Sequence, residues 1–578
     1  MRTTLIAAAI IAAGAGGYYA YTNLQSSSTV SMAELAYVPA DTALFSAQLK
    51  PIDLPTYLAT TAFMTPDMVA SAKADIDSLL IDAIDGESNG LVFALSLYGE
   101  FLDALAQPEN FTELTGASDQ VRSLAYLVGA APVLRLSISD ESKFLALFER
   151  AEQTSGYSAK VETVEGATVY RYELFHDTDE DVAIDLLMLV ADGWATVTVD
   201  APSLDPATLG QRLALTKPAK SLQDSGYIND VVKKYELRTD GVGYLRTDII
   251  VNAFVDPQSN QLGLDLRAIS AGELDTSVAE WQTSECRTDM SAIANLWPGL
   301  FFDAAIDQSK AGMTSVSSKV LIPTHHQPTL QRLQGLRGFI PSAISSNLAG
   351  VMGYFGLGTD VGRLAPNLSQ MWVSMTNAKF SCAPLVAAQE SLKANNPMAA
   401  LAVTQMFSGL TGVAVQVVNF DLAGLESGTG DALNMTFSLT GDDIQTLYAT
   451  LQSFDPNFAA LELPSVGETI TLSGDDLGLP VDAKLHRGQN TLALGVSAAS
   501  DATAKAVAAE KMSKNGFLVM GFNYGKLFEA LGPVMAMEGE PMTPEIEALM
   551  NSDMQLQFGM DFNKHGFVID YSMTIAKP

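Results

Sequence analysis

The sequence predicts an α+β protein: two diverged copies of a mostly antiparallel sheet unit with helices on one face, plus a helix-rich disulfide-bearing region between them. Three observations lead there. Segments of period-two alternation repeatedly switch into helical spacing. Two of these segments extend into longer blocks whose elements follow the same order. The strands are joined by hairpins as often as by helices, whereas a doubly wound parallel sheet needs helical crossovers throughout.

The recurring pattern is ALFSAQLKPIDLPTYL from Ala43, LVFALSLYGEFLDAL from Leu91 and VLRLSISDESKFLALFERA from Val133. It returns as GYLRTDIIVNAF from Gly243, NMTFSLTGDDIQTLYATL from Asn434 and FLVMGFNYGKLFEAL from Phe517. Asp140, Asp248 and Asp442 mark the switch as caps or turns, because a short carboxylate accepts from the free N–H groups of a first helical turn. In the first block the strand and helix from Val133 lead to ATVYRYEL, then to the hairpin MLVADGWATVTVD turning at Asp192-Gly193, a helix from Asp205 and the strand GYLRTDII. In the second, the segment from Asn434 leads to ETITL, AKLHRGQNTLALGVS with its turn at Arg487-Gly488, a helix from Asp501 and FLVMGFNY. The expected division is therefore 1–30 signal anchor and tether, 31–279 first unit, 280–425 intervening region and 426–578 second unit. The intervening region holds both cysteines, a hairpin LFFDAAIDQSKAGMTSVSSKVLIP, and a helix-rich stretch from Thr329 to about Ser374 with the Gly-rich segment LAGVMGYFGLG. Met398 to Leu422 reads as a buried helix followed by a strand.

The N-terminus sets the expected location. Arg2 precedes the charge-free run TTLIAAAIIAAGAGGYYAY, which just reaches the ~20 residues a membrane-spanning helix needs. One positive charge before the run places the rest of the chain on the far side of the inner membrane, with Tyr18, Tyr19 and Tyr21 at the outer interface. The alternative is a signal peptide cleaved near Ala13 and Ala15, leaving a soluble periplasmic protein. The tether TNLQSSSTVSMAELA follows.

The formal charge of −33, from 66 acidic and 33 basic residues, repels phosphate backbones and anionic headgroups, which argues against nucleic acid and peripheral lipid binding. Hydrophobic content of 48 % excludes wholesale disorder. Cys286 and Cys382 form an even pair with no CxxC spacing, so a zinc finger is excluded and a single disulfide is the default for an exported chain; two buried thiols are the alternative. Closing a loop of about 95 residues stabilises by about 4–5 kcal/mol in the chain-entropy picture.

No GxSxG elbow, HExxH, phosphate loop or GxGxxG entering a helix is present, so no catalytic residue, metal or cofactor is expected. His325 and His326 sit in the turn IPTHHQP. The acidic run from His176 to Asp181 lacks the Gly and distal Glu of a calcium loop and reads as a hairpin tip. Methionine gives a stronger signal. Met535, Met537, Met542, Met550 and Met554, with Met560 just beyond, crowd one stretch. Thioethers bind copper(I) or fill adaptable apolar surfaces, and the plainer reading is a helix in the core. These methionines are the candidate apolar-ligand or partner surface.

The opening AYVPADTALFSAQLKP resembles the start of uncharacterised bacterial envelope proteins whose folded part begins with a Pro-Ala-Asp-Thr motif. The strand and helix carrying Phe144 and Phe148, the ADGWATVTVD hairpin and ECRTDMSAIANLWPGL are similar to theirs as well. The resemblance implies a periplasmic location in a Gram-negative bacterium and no particular activity. The expected function is that of a non-catalytic, membrane-tethered periplasmic protein that binds another envelope protein or supports the envelope. The alternative is a carrier of a lipid or other apolar ligand.

Overall fold

The computed structural model describes residues 33–60, 66–85, 89–177, 182–270, 278–310, 312–346, 348, 350–396, 401, 404–421, 424, 432–454, 462–477, 481–538 and 553–576. The expected anchor and most of the tether lie outside them. No helix among the described residues is long and apolar enough to cross a membrane.

Mixed helix and strand, antiparallel sheet and a disulfide are all present. The chain divides into two compact units, the first being 1–320 with 381–384, the second 321–380 with 385–578. This differs from the expected three-part division, because residues 280–425 supply strands to both units instead of folding separately.

The first unit contains β1 (Leu44–Asp53), β2 (Gln120–Val128), β3 (Ala131–Ser137), β4 (Lys160–Val164), β5 (Ala167–Asp177), β6 (Val182–Ala191), β7 (Trp194–Asp200), β8 (Gly241–Arg246) and β9 (Gly299–Asp307). Their antiparallel pairings give the order β4-β5-β6-β7-β3-β2-β1-β8-β9. The strand β10 (Met313–Pro323) pairs with β9. The hairpin β6–β7 turns at Asp192 and Gly193, with φ of 51° and 76°. Positive φ at both central residues is what the twist of a two-residue hairpin requires, and Asp-Gly supplies it at least cost. The helix Glu141–Ser155 starts where expected: Asp140 accepts a hydrogen bond from the backbone N–H of Lys143 at 3.1 Å. Its Phe144, Leu147, Phe148 and Ala151 pack on Tyr172, Met188 and Ala195 of the sheet.

The second unit contains β11 (Gly353–Leu357), β12 (Leu410–Phe420), β13 (Leu433–Gly441), β14 (Thr469–Leu472), β15 (Ala483–Arg487), β16 (Thr491–Val496), β17 (Leu518–Asn523), β18 (Asp553–Phe562) and β19 (Gly566–Ala576). Their order is β14-β15-β16-β13-β12-β11-β17-β18-β19, again antiparallel at every pair. Read in chain order, β11 sits between β12 and β17 as β1 sits between β2 and β8.

Three local expectations need correction. Leu91 to Leu105 is no strand; it lies wholly in the helix Asn89–Leu105. Val92, Phe93, Ser96 and Leu102 fall on one buried face at helical spacing, a period that brief alternation at its start conceals. The Gly-rich segment read as part of a helical stretch supplies β11, whose glycines admit close neighbours: a Cβ on Gly356 would lie 2.6 Å from Ile340. The caps also move. Asp443, not Asp442, accepts from the N–H groups of Gln445 and Thr446. Asp248 lies inside its helix and pairs with Arg246 at 2.6 Å.

Candidate functional site

Period-two alternation decides which side chains each strand of the second unit presents. On β13, Thr436, Ser438 and Thr440 are each 0 % exposed, while Phe437 between them is 41 % exposed. This inverts the usual apolar-in, polar-out pattern of a half-covered sheet. The register carries the inversion across the unit. One row runs Phe437, Val415, Phe355, Met520, Phe558 and Tyr571 over β13, β12, β11, β17, β18 and β19. None of its members is buried, and Phe355 is 37 % exposed. The parallel row Leu439, Val413, Leu357, Leu518, Met560 and Ile569 is also wholly apolar.

The opposite face is closed. Tyr354, Ala414 and Ala493 pack there against Ile344, Leu348 and Val351 and against Ala504 and Val507 of the helix Ala498–Ala509. Small residues suit that side because the covering elements approach closely. The large apolar side chains are left for the other face, where the helix Ile444–Phe454 covers only one end, around Leu439, Leu472, Leu485 and Leu492.

The methionine stretch meets this face in part. Met554 lies on β18 with the parity of Phe558 and is buried; Met560, of the same parity, is half-buried. Met535 and Met537 belong to the helix Tyr524–Glu538. Met542 and Met550 lie outside the described residues.

Cys286 and Cys382 form the disulfide, with a Cα separation of 4.3 Å. Asp289, one turn after Cys286 on the helix Ser284–Leu296, accepts from the backbone N–H groups of Ser381 and Cys382 at 2.6 and 2.8 Å. The bridge therefore has a polar clasp beside it.

The histidines do not converge. His326 meets the Thr329 hydroxyl at 2.7 Å, and His176 lies 3.5 Å from Glu173. Among the described residues no cluster of histidine, cysteine or carboxylate side chains has the makings of a metal site. His486, 5 % exposed, has the most polar surroundings. Its Nε2 is 2.7 Å from Asp501 and its Nδ1 is 2.9 Å from the Thr469 hydroxyl. Hydroxyl, imidazole and carboxylate thus stand in the order of a nucleophile, base and orienting acid. The contact is also what register alone produces, since Thr469 and His486 are direct cross-strand partners. Asp501 is shared with Lys484 at 2.9 Å. The Lys484 hydrogen bond, with His486 adding to it, holds the Asp501 carboxyl below its ordinary range. The arrangement ties the helix Ala498–Ala509 to the β14–β15 hairpin. Sequence reasoning named His486 but not these partners, which only strand register brings to it.

The first unit has a larger polar network across β4, β5 and β7. Arg171 binds Glu162 at 3.0 Å and Asp200 at 2.9 Å, and Arg212, 1 % exposed, binds Asp200 at 2.7 Å. Burial pushes the Asp200 carboxyl up, but Arg212 and Arg171 outweigh it and hold it below its ordinary value.

Fold and site together define a two-unit antiparallel α+β protein whose second unit, among the described residues, has one apolar and partly exposed sheet face. No protein-family model, curated protein or solved structure matches the chain.

Proposed function

We propose that this chain is a non-catalytic, membrane-tethered protein of the bacterial envelope that binds an apolar ligand on the open sheet face of its second unit. One observation carries the reading: the strands bury Thr, Ser and Ala and leave Phe355 and Phe437 exposed on an apolar row. A broad exposed apolar patch costs hydration free energy on every strand it crosses, so it is retained where something covers it. An acyl chain fits the chemistry, because the row offers aliphatic and aromatic contact with no charged partner. The charge-free N-terminal run supports the tether and the periplasmic location. The shared central strand path supports the duplication read from the sequence, as the Pro-Ala-Asp-Thr opening supports kinship with the envelope proteins it resembles.

The test uses the full chain in native membranes and a fatty acid carrying a photoreactive diazirine. Labelled peptides are expected from β11, β12, β13 and β17. Phe355→Ser combined with Phe437→Ser is expected to reduce that labelling several-fold. Label found only elsewhere, or unchanged in the double variant, sinks the reading.

A further inference from the structure

Arg135, on β3 of the first unit, is a cation in an improbable place. It is 7 % exposed, and its Nε and Nη1 have no hydrogen-bond partner among the described residues. A buried guanidinium without a carboxylate or a set of acceptors carries an uncompensated desolvation cost, and natural cores pair such groups. Desolvation by burial accordingly pulls its pKa down.

Its surroundings are built for an anion. The guanidinium lies 5.3 Å from the ring centre of Tyr37 and 5.1 Å from that of Trp194. Two further cations meet the same rings: Arg122 at 5.4 Å from Trp194 and Lys217 at 5.4 Å from Tyr37. The chain has only 33 basic side chains against 66 acidic ones, so three cations around two rings is a local reversal of its charge. Tyr126, 1 % exposed and on the neighbouring strand, has a hydroxyl with no partner among the described residues. The acids acting on Arg135 are Glu34 and Asp192. Glu34 accepts the Trp194 indole N–H at 3.1 Å through one oxygen, and its other oxygen has no partner among the described residues. It stands on the short helix Ala33–Tyr37, at the end of the tether.

We propose that Arg135, Arg122, Lys217 and the Tyr126 hydroxyl form a binding site for a phosphate group. A phosphate supplies several acceptor oxygens and more than one negative charge, enough to engage Arg135 and the tyrosine while the outer cations neutralise the rest. A lone carboxylate leaves two of the cations unused. Glu34 contributes the nearest opposing charge and weakens the site. The site belongs to the first unit and does not depend on the apolar face of the second.

The experiment measures binding of inorganic phosphate to the full chain in a maltoside detergent, by calorimetry and by thermal unfolding, against chloride at equal ionic strength. Phosphate is expected to bind and to raise the unfolding temperature. Arg135→Met is expected to weaken binding at least about thirtyfold, as loss of charge-assisted hydrogen bonds does, and to unfold without phosphate at the same temperature or higher. Arg122→Gln and Lys217→Gln, both peripheral, are expected to weaken it several-fold, and Glu34→Gln to tighten it. Competition by mixed micelles carrying phosphatidylglycerol, but not by those carrying phosphatidylcholine, assigns the phosphate to a lipid headgroup; absence of competition assigns it to a soluble phosphate. No phosphate-specific binding in the wild-type chain, or equal binding in Arg135→Met and in the two peripheral variants, overturns the proposal. So does an Arg135→Met chain that unfolds at a markedly lower temperature without phosphate, because Arg135 is then a structural residue.

Discussion

The two units share a central strand path, β3-β2-β1-β8-β9 and β13-β12-β11-β17-β18, but the first flanks it with four strands, β4–β7, where the second has three, β14–β16, and they line their sheets differently. At the middle of the β1–β8 register stands Ser46, opposite Gly243 and Ala125; at the middle of the β11–β17 register stands Phe355, opposite Met520 and Val415. In the first unit the row is narrow and fills itself: a Cβ on Gly243 would lie 2.1 Å from the Phe302 ring, so that ring already occupies the space above the glycine. In the second unit the row is wide, apolar and partly open. The other face shows the reverse bias, with Arg135 and the Arg171–Asp200–Arg212 network in the first unit and the smaller Thr469–His486–Asp501 tie in the second. The shared central strand path accepts either lining, because backbone pairing fixes register and parity while side chains fix what each face holds.

Four variants sharpen the contrast. The largest effect is expected from Gly243→Val, which drives a branched side chain into Phe302 and to within 2.5 Å of the Phe45 carbonyl. The loss should exceed about 4 kcal/mol and be confined to the first unit. Denaturant unfolding followed by tryptophan fluorescence reads it, since Trp194, Trp281 and Trp297 report on that unit and Trp372 on the other. A shift in the Trp372 transition instead would break the comparison. Next is the disulfide: replacing Cys286 and Cys382 by Ala should cost the first unit about 3 kcal/mol, visible as an earlier first transition.

Asp240 gives a pH effect with no counterpart in the second lining. It is 2 % exposed, and burial, with Asp303 adding to it, pushes its carboxyl up to about 6 against the opposing pull of Lys50 and Arg238. A carboxyl whose folded pKa lies above its unfolded value binds its proton more tightly when folded. Stability should therefore be greatest below about pH 4, fall as pH rises toward 6, and stay lower above it. Asp240→Asn should flatten that limb and stabilise the first unit by about 2 kcal/mol at pH 7. A slope unchanged in the variant assigns the pH dependence to other groups. The smallest stability loss is expected from Phe355→Ser, about 2 kcal/mol, because more than a third of the residue's surface is already in water. Labelling by the photoreactive fatty acid should fall with it, and a stability loss above about 4 kcal/mol would mean that the face is core.

Much of the architecture was legible in the chain. The strand-to-helix switches at Ala43, Val133, Gly243, Asn434 and Phe517 all occur. They were readable because alternation and helical spacing meet at a short, well-defined junction. The switch at Leu91 failed because Leu91, Phe93 and Leu95 alternate by chance inside a helical face. Strand β11 was missed because five residues with two glycines carry almost no periodic signal, and its place at the centre of the sheet comes entirely from its neighbours. Of the candidate site, the disulfide was legible from the even cysteine count and the lack of a CxxC spacing. The methionine stretch pointed to β18 without revealing Phe355 and Phe437, since which parity faces outward depends on the helices that cover the other side. Arg135 gave no signal, as nothing local distinguishes a paired arginine from an unpaired one.

By itself the sequence determined five of the six strand-to-helix switches, the Asp192-Gly193 hairpin, the cysteine pair and the strong negative charge, because these depend on a few adjacent residues or on composition. Only the tertiary structure decided the two strand orders, the inverted exposure of β13 and the gathering of Arg122, Arg135 and Lys217 around Tyr37 and Trp194. Each of those is a relation between residues far apart in the chain, set by strand register and by which elements cover each face.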